Sequence, residues 1–254
     1  MTLSARTLPL SAGPAAATKP FGEGRQVWTA VVVAALAVVN VARFLVPSGS
    51  VWISVTGALA LVALARWTGL SWKQLGLSRD RFWRGARWAL GAVVVVAAVY
   101  VAGLMIPMTR SAFLDSRYHV GIPGALLSAF VIIPLGTVLF EEVAFRSVLW
   151  GMLHRHTTTF RVMLISSSLF GLWHVLPSLH FAAANQGVGD VAGQSGPSAT
   201  VMVVLSTVAF TAVGGLVAAE LRRRSGSVLA SAGMHWATNA LGVLFGLVAW
   251  RMVG

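Results

Sequence analysis

Seven long stretches without Asp, Glu, Lys or Arg constrain this chain more than any other feature. Crossing the hydrocarbon core of a bilayer takes about 20 apolar residues in a helix. Within that core only helices and closed barrels satisfy every backbone polar group. A chain of 254 residues with this pattern predicts an all-α, polytopic bundle of about seven transmembrane helices, with no sizeable soluble domain left over. The stretches are residues 26–42, 44–65, 88–109, 118–140, 162–189, 191–219 and 225–250.

The amino-terminal segment differs in composition from the rest. Residues 1–25 are rich in Ala, Pro, Ser, Thr and Gly and show no apolar periodicity, which predicts a disordered cytoplasmic tail. The apolar run that follows lacks a convincing small-residue cleavage site, so we expect the first helix to be retained. Residues 26–254 are then the transmembrane bundle.

The excess of basic residues is explained by membrane orientation. A formal net charge of +12 would suggest nucleic-acid binding in a soluble protein. Here, a cytoplasmic amino terminus places 15 of the 19 basic residues on the inner side, as the positive-inside rule requires. We therefore expect a multi-pass protein of the cell membrane, with no nucleic-acid partner. The exceptions are Arg43, Arg110, Arg117 and Arg251.

The segment between the second and third stretches mixes Trp with Arg. Trp72, Trp83 and Trp88 are interleaved with Lys73 and several arginines. This mixture suits the headgroup layer and predicts contact with membrane lipids along the inner surface.

Cysteine is absent from the chain. This excludes disulfides, Cys-ligated zinc, Cys-held iron-sulfur clusters and a thiol nucleophile. Any chemistry must come from other polar side chains in or beside the spans. An ionised side chain at a helix centre costs roughly 2.5 to 3.5 kcal/mol and marks a functional site by default. The candidates are Glu141, Glu142, Arg146, His174, His235 and Asn239.

Four-residue spacing groups these candidates on helix faces. Glu142 precedes Arg146 in the order that favours a helical ion pair, and we expect this pair to be structural. Glu141 points about 100° away around the helix and has no cation at helical spacing. It is therefore the carboxylate predicted to be free for chemistry. His235 and Asn239 likewise share one helix face.

Two kinds of chemistry fit these residue types. Glu141 and His174 could converge on one water as a general base, while His235 and Asn239 could donate hydrogen bonds to a developing oxyanion. This arrangement suits peptide-bond hydrolysis. Alternatively, Glu141, His174 and His235 could hold Zn²⁺, which accepts carboxylate oxygen and imidazole nitrogen and would lower the pKa of its water. The residues alone leave both readings open.

Three ordered motifs resemble a known family. Glu-Glu-x-x-x-Arg at 141–146, Phe-x-x-x-His at 170–174 and His-x-x-x-Asn at 235–239 are similar to those of the CAAX prenyl endopeptidase and bacteriocin-processing intramembrane proteases. The resemblance covers about residues 121–250. It implies an endopeptidase acting on a membrane-associated protein or peptide, with Glu141 and His174 activating water and His235 and Asn239 stabilising the oxyanion. The family is described both as metalloproteases and as metal-independent glutamate proteases, so the resemblance leaves the zinc question open.

Other mechanisms and function classes fit the sequence less well. The zincin motif His-Glu-x-x-His is absent, Gly-x-Gly-Asp at 187–190 falls in a polar loop, and Ser195 has no Gly-x-Ser-x-Gly context. A transporter should show an internal repeat or matched broken helices, and neither is evident. A catalytically silent membrane scaffold or an immunity-type protein of the same fold stays an alternative that only an activity assay separates.

Overall fold

The part of the chain that the structure describes contains seven helices long and apolar enough to cross a membrane, so the expectation of an all-α polytopic bundle is confirmed. A computed structural model describes residues 24–179, 184–185, 188 and 197–253. The predicted tail, apart from residues 24 and 25, and the Gly-x-Gly-Asp and Ser195 loop, apart from residue 188, lie outside the described residues. The helices are α1 (Arg25–Leu45), α2 (Ser50–Trp67), α3 (Phe82–Met105), α4 (Ile122–Leu153), α5 (Thr159–Trp173), α6 (Pro197–Ser225) and α7 (Val228–Val253).

Helices α4 and α6 continue past the charge-free stretches that predicted them. Helix α4 runs on through Glu141, Glu142 and Arg146 to Leu153. Helix α6 includes Arg222 and its two basic neighbours. The charge-free stretches therefore mark only the apolar part of these two helices, because a charged residue can stay inside a helix when its charge is compensated.

A short cytoplasm-side segment precedes α3 under the predicted orientation. Ser71 and Gln74 form a capping box at the start of the helix Trp72–Leu75, which ends at Gly76 in the left-handed conformation (φ 71°). The left-handed φ favours glycine at position 76, and a Cβ there would also meet the guanidinium group of Arg222, which would have to move. Arg222 in turn donates to the carbonyls of Gln74 (3.0 Å) and Arg146 (3.1 Å). One buried arginine thus joins the surface segment, α4 and α6.

Helix α4 is wound with wider, π-helical turns over Ser128–Ile132, Pro134–Val138 and Glu142–Leu149. Such turns and the missing N–H of Pro134 disturb the usual ladder and free carbonyl groups. Neighbouring helices supply donors to these carbonyls, with Trp236 Nε1 donating to Ala129 (2.9 Å).

Further donors reach the other wide turns. Ser54 Oγ donates to the carbonyl of Gly136 (2.7 Å), and Ser166 Oγ donates to that of Phe145 (3.0 Å). Each freed carbonyl therefore fixes the register of α4 against α2 or α5, which is what positions the two glutamates near the centre of the bundle.

Candidate active site

Glu142 lies at the start of the last wide turn of α4 and is almost fully buried. Its Oε1 is 3.5 Å from Arg146 Nη1, so the predicted i, i+4 ion pair is present. The same oxygen is 3.0 Å from His235 Nδ1 on α7. Since a carboxylate only accepts, His235 donates through Nδ1 and Glu142 fixes the orientation of its ring.

Glu141 is also buried, and its two oxygens face different groups. Oε1 accepts from Nη1 of Arg43 on α1 at 3.4 Å. Oε2 has no hydrogen-bond partner among the described residues and lies 3.9 Å from His174 Nε2 and 3.7 Å from His235 Nε2. The structure thus brings Glu141, His174 and His235 together from three helices.

Glu141 has one cationic neighbour, which comes from another helix. No basic residue lies at helical spacing, as predicted, but Arg43 reaches it from a helix 98 residues away in sequence. Under the predicted orientation, Arg43 lies at the outer end of the first stretch and is one of the exceptions to the positive-inside count. Its one sequence signal is its position three residues after Asn40, on the same face of the otherwise apolar carboxyl-terminal half of α1.

His174 follows the last residue of α5. Its Nδ1 is 2.8 Å from the carbonyl of Phe170. Because a carbonyl can only accept, Nδ1 carries the proton, and in the neutral ring Nε2 is then an acceptor. Two acceptors, His174 Nε2 and Glu141 Oε2, therefore face each other at a distance too long for a direct hydrogen bond.

Phe170 explains the apolar member of the second motif. Its ring lies under the Arg146 guanidinium, with the Cζ atom 3.9 Å from the ring centroid. It also meets the rings of His174 and His235 edge to face, at 4.7 and 5.8 Å between centroids. One aromatic ring thus packs against the ion pair and both imidazoles, and a cation held this way is stabilised in a desolvated site.

Asn239 is the predicted site residue that the structure does not bring into the buried cluster. It is exposed, on a wide turn of α7 at Ala237–Leu241, and its Nδ2 donates to the carbonyl of His235 at 3.0 Å. An amide has a second N–H, which this contact leaves available.

The donor types at the centre are those of a catalytic zinc site, but their spacing is not. Bonds of about 2.0 to 2.2 Å in tetrahedral geometry put neighbouring ligand atoms roughly 3.3 to 3.6 Å apart. The separations from Glu141 Oε2 are 3.7 and 3.9 Å. Among the described residues no group of three His, Asp or Glu side chains is arranged to hold a metal ion. The arrangement therefore does not fit bound zinc as it stands.

Comparison with known proteins supports the resemblance read from the motifs. A family model described as type II CAAX prenyl endopeptidase, Rce1-like, matches residues 123–241, which include all three motifs. No curated protein and no solved structure matches the chain. Residues 123–241 of this multi-pass membrane protein are therefore similar to the Rce1-like type II CAAX prenyl endopeptidases.

Proposed function

We propose that the chain hydrolyses a peptide bond in a membrane-associated protein or peptide, with Glu141 and His174 activating the attacking water. The observation that carries this proposal is the unpartnered, buried Oε2 of Glu141, which faces the Nε2 atoms of His174 and His235 at 3.9 and 3.7 Å. A buried polar atom without a partner is rare and calls for a ligand or a catalytic role.

The tautomer of His174 specifies how the water is used. Both Glu141 Oε2 and His174 Nε2 are acceptors, so one water donates a hydrogen to each and presents a lone pair to the scissile carbonyl. As the oxygen attacks, one proton passes to this pair and a C–O bond forms. The proton is then delivered to the nitrogen as the C–N bond breaks, which leaves a carboxylic acid and an amine. The acid proton passes to the amine to give a carboxylate and an ammonium, and the Glu141–His174 pair is again unprotonated.

His235 and Asn239 are proposed to stabilise the oxyanion. Glu142 already fixes the Nδ1–H of His235, so a proton on Nε2 would point toward the centre of the site. With both imidazoles neutral, two glutamates and two arginines sum to zero charge at the site. The proton that Glu141 and His174 take from the water balances the negative charge of the oxyanion, so the site keeps this sum during the attack, which limits the cost of charge development in a low-dielectric setting.

Glu142 and Arg146 act as a structural ion pair in this scheme, and Glu142 additionally orients His235. Zinc has no step in the scheme, because the spacing of the three donors does not fit it. Metal analysis of purified, active protein checks this assignment. Activity that follows one tightly bound zinc per chain, is lost with a strong chelator and returns with Zn²⁺ would overturn the metal-free mechanism.

We further propose that the amino terminus and the basic ends of the helices are cytoplasmic, in the cell membrane. Because the chain has no cysteine, no native cysteine has to be removed before single cysteines are introduced for labelling. Lys73→Cys lies before α3 and Met108→Cys, 90% exposed, lies after it. In intact cells an impermeant thiol reagent should label position 108 and not position 73. The reverse pattern would overturn the orientation.

The substrate can be found by comparing membranes that contain wild-type protein with membranes that contain Glu141→Gln. New amino termini and carboxyl termini are mapped by mass spectrometry in both. Glu220→Gln serves as the matched control, since it replaces a carboxylate remote from the site. Peptides produced by wild type and Glu220→Gln but absent with Glu141→Gln support the proposal. Identical peptides in all three samples would refute it.

A further inference from the structure

We propose that Arg43 on α1 is a positioning residue for Glu141, although it lies outside the segment that matches the family. Its role would be to hold the carboxylate ionised, with Oε2 turned toward His174 and His235. This inference rests on the proposed function, since it assigns Arg43 to the same site.

Arg43 is held by three contacts. Nη2 donates to the carbonyl of Gly136 at 2.8 Å, which is one of the carbonyls freed by the wide turns of α4. Nη1 donates to Glu141 Oε1 at 3.4 Å, and the guanidinium carbon lies 5.6 Å from the ring centroid of Trp173. The side chain is only 16% exposed. A guanidinium offers several donors in a fixed plane, so one residue can hold the backbone and the carboxylate together.

The contact with Arg43 gives the two carboxylate oxygens of Glu141 different roles. The terminal torsion of a glutamate is broad, so packing alone would let the carboxylate rotate. With Oε1 engaged by Arg43, Oε2 is the oxygen left facing both imidazoles. The nearby positive charge also favours the ionised carboxylate, which is the form that acts as a base.

Helix α1 is fixed at the site by a second polar residue. Asn40, three residues before Arg43 and so on the same face, donates through Nδ2 to the carbonyl of Trp173 at 3.0 Å. Trp173 directly precedes His174. Helix α1 therefore contacts the elements that carry both members of the proposed water-activating pair.

Charge pairing gives the same assignment. Glu142 is paired with Arg146 on its own helix, and Glu141 is paired with Arg43 from another. Removing Arg43 would leave one buried acid without a compensating arginine, close to a second acid. A residue that only filled space would not carry this charge.

The test measures kcat and KM for Arg43→Gln, Arg43→Lys and the control Arg251→Gln on a substrate identified as above. Arg251 is an exposed arginine near the end of α7. We expect Arg43→Gln to lower kcat by about 10²-fold with little change in KM, as a misplaced catalytic group does. Arg43→Lys, which keeps the charge, should recover most of the loss, and Arg251→Gln should behave as wild type. Wild-type kcat in folded Arg43→Gln, or no recovery with lysine, would overturn the proposal.

If Arg43→Gln folds poorly, a double-mutant cycle of thermal stability tests the coupling between Arg43 and Glu141. Thermal stability in detergent is compared for Arg43→Gln, Glu141→Gln and the double variant. Positional coupling predicts that the double variant is more stable than the sum of the single losses implies, whereas additive losses would refute it. This cycle needs no activity. If wild type is inactive, the proposed function fails, while an active wild type with an unaffected Arg43→Gln refutes the role of Arg43 alone.

Discussion

Two groups of ion pairs in this protein use the same residue types in opposite surroundings. In the site cluster, Glu142 and Arg146 are 3.5 Å apart and each side chain is 2% exposed. At the end of α6, Glu220 contacts Arg223 at 2.6 Å and Arg224 at 2.5 Å, and these three side chains are 31 to 58% exposed. The surface pairs are therefore shorter than the buried pair but far more exposed.

The difference lies in what each charge does when its partner is removed. An exposed pair is worth about 0 to 1 kcal/mol, because water replaces the partner. Removing one member of a buried pair costs roughly 3 to 5 kcal/mol, because an uncompensated charge stays in a low-dielectric interior. Burial, rather than distance, therefore separates the charges that matter for the site from those that serve the surface.

The largest expected difference between the two clusters is in the rate of cleavage, when Glu141 in the site or Glu220 at the surface is replaced by glutamine. Glu141→Gln should reduce cleavage by about 10⁴-fold, at the upper end for loss of a general base. Steady-state cleavage by purified, folded protein measures this loss. His174→Ala should behave similarly, since it removes the other acceptor. Near-wild-type cleavage by either variant would remove these residues from the mechanism.

Breaking the buried ion pair should be the largest effect on stability. Arg146→Leu leaves Glu142 without its arginine and should lower the free energy of unfolding by roughly 3 to 5 kcal/mol. The double variant Glu142→Gln/Arg146→Leu should lose less than the sum of the single changes. Unfolding in detergent micelles gives the double-mutant cycle. Strictly additive losses would show that the two charges do not stabilise each other.

Asn239 is intermediate between the buried site and the exposed surface cluster, because it is exposed but lies on the same helix as His235. If its free N–H serves the oxyanion, Asn239→Ala should reduce kcat by about 10²- to 10³-fold. Substrate binding should change little, since the contact forms in the transition state. A rise in KM at unchanged kcat would instead assign Asn239 to substrate binding.

The smallest effect is expected at the surface cluster. Glu220→Gln removes the acid from both short pairs at once, yet it should change stability by no more than about 1 kcal/mol. Raising the salt concentration should shrink even this difference, as screening weakens exposed pairs. A loss as large as that of Arg146→Leu would mean that burial does not explain the contrast.

Local patterns in the sequence predicted the parts of this comparison that depend on neighbouring residues along one helix. Apolar stretches long enough to span a bilayer gave the seven helices, and the i, i+4 spacing gave the Glu142–Arg146 pair. The same spacing rule applies equally to Glu220 and Arg224. Sequence spacing could not rank the two pairs, because burial is decided by other helices.

Contacts between distant helices were out of reach for the same reason. Arg43 meets Glu141 only because α1 packs beside α4, and the one nearby signal, Asn40 on the same helix face, does not identify the partner. The wide turns of α4 also escaped prediction, since their freed carbonyls depend on donors such as Ser54 and Trp236 from other helices. The three motifs predicted most residues of the buried site, whereas its second arginine, Arg43, is brought there by the packing of helices.

The most direct test of the central claim is hydrolysis of an identified substrate in H₂¹⁸O by purified wild-type protein. Mass spectrometry then reads the isotope content of both products. Direct attack by a water activated at Glu141 predicts one cleaved bond and one ¹⁸O in the new carboxylate, with none in the amine product and none at residue 141 after a single turnover. Product formation equal to that of Glu141→Gln, or ¹⁸O incorporated into the Glu141 side chain, would contradict it.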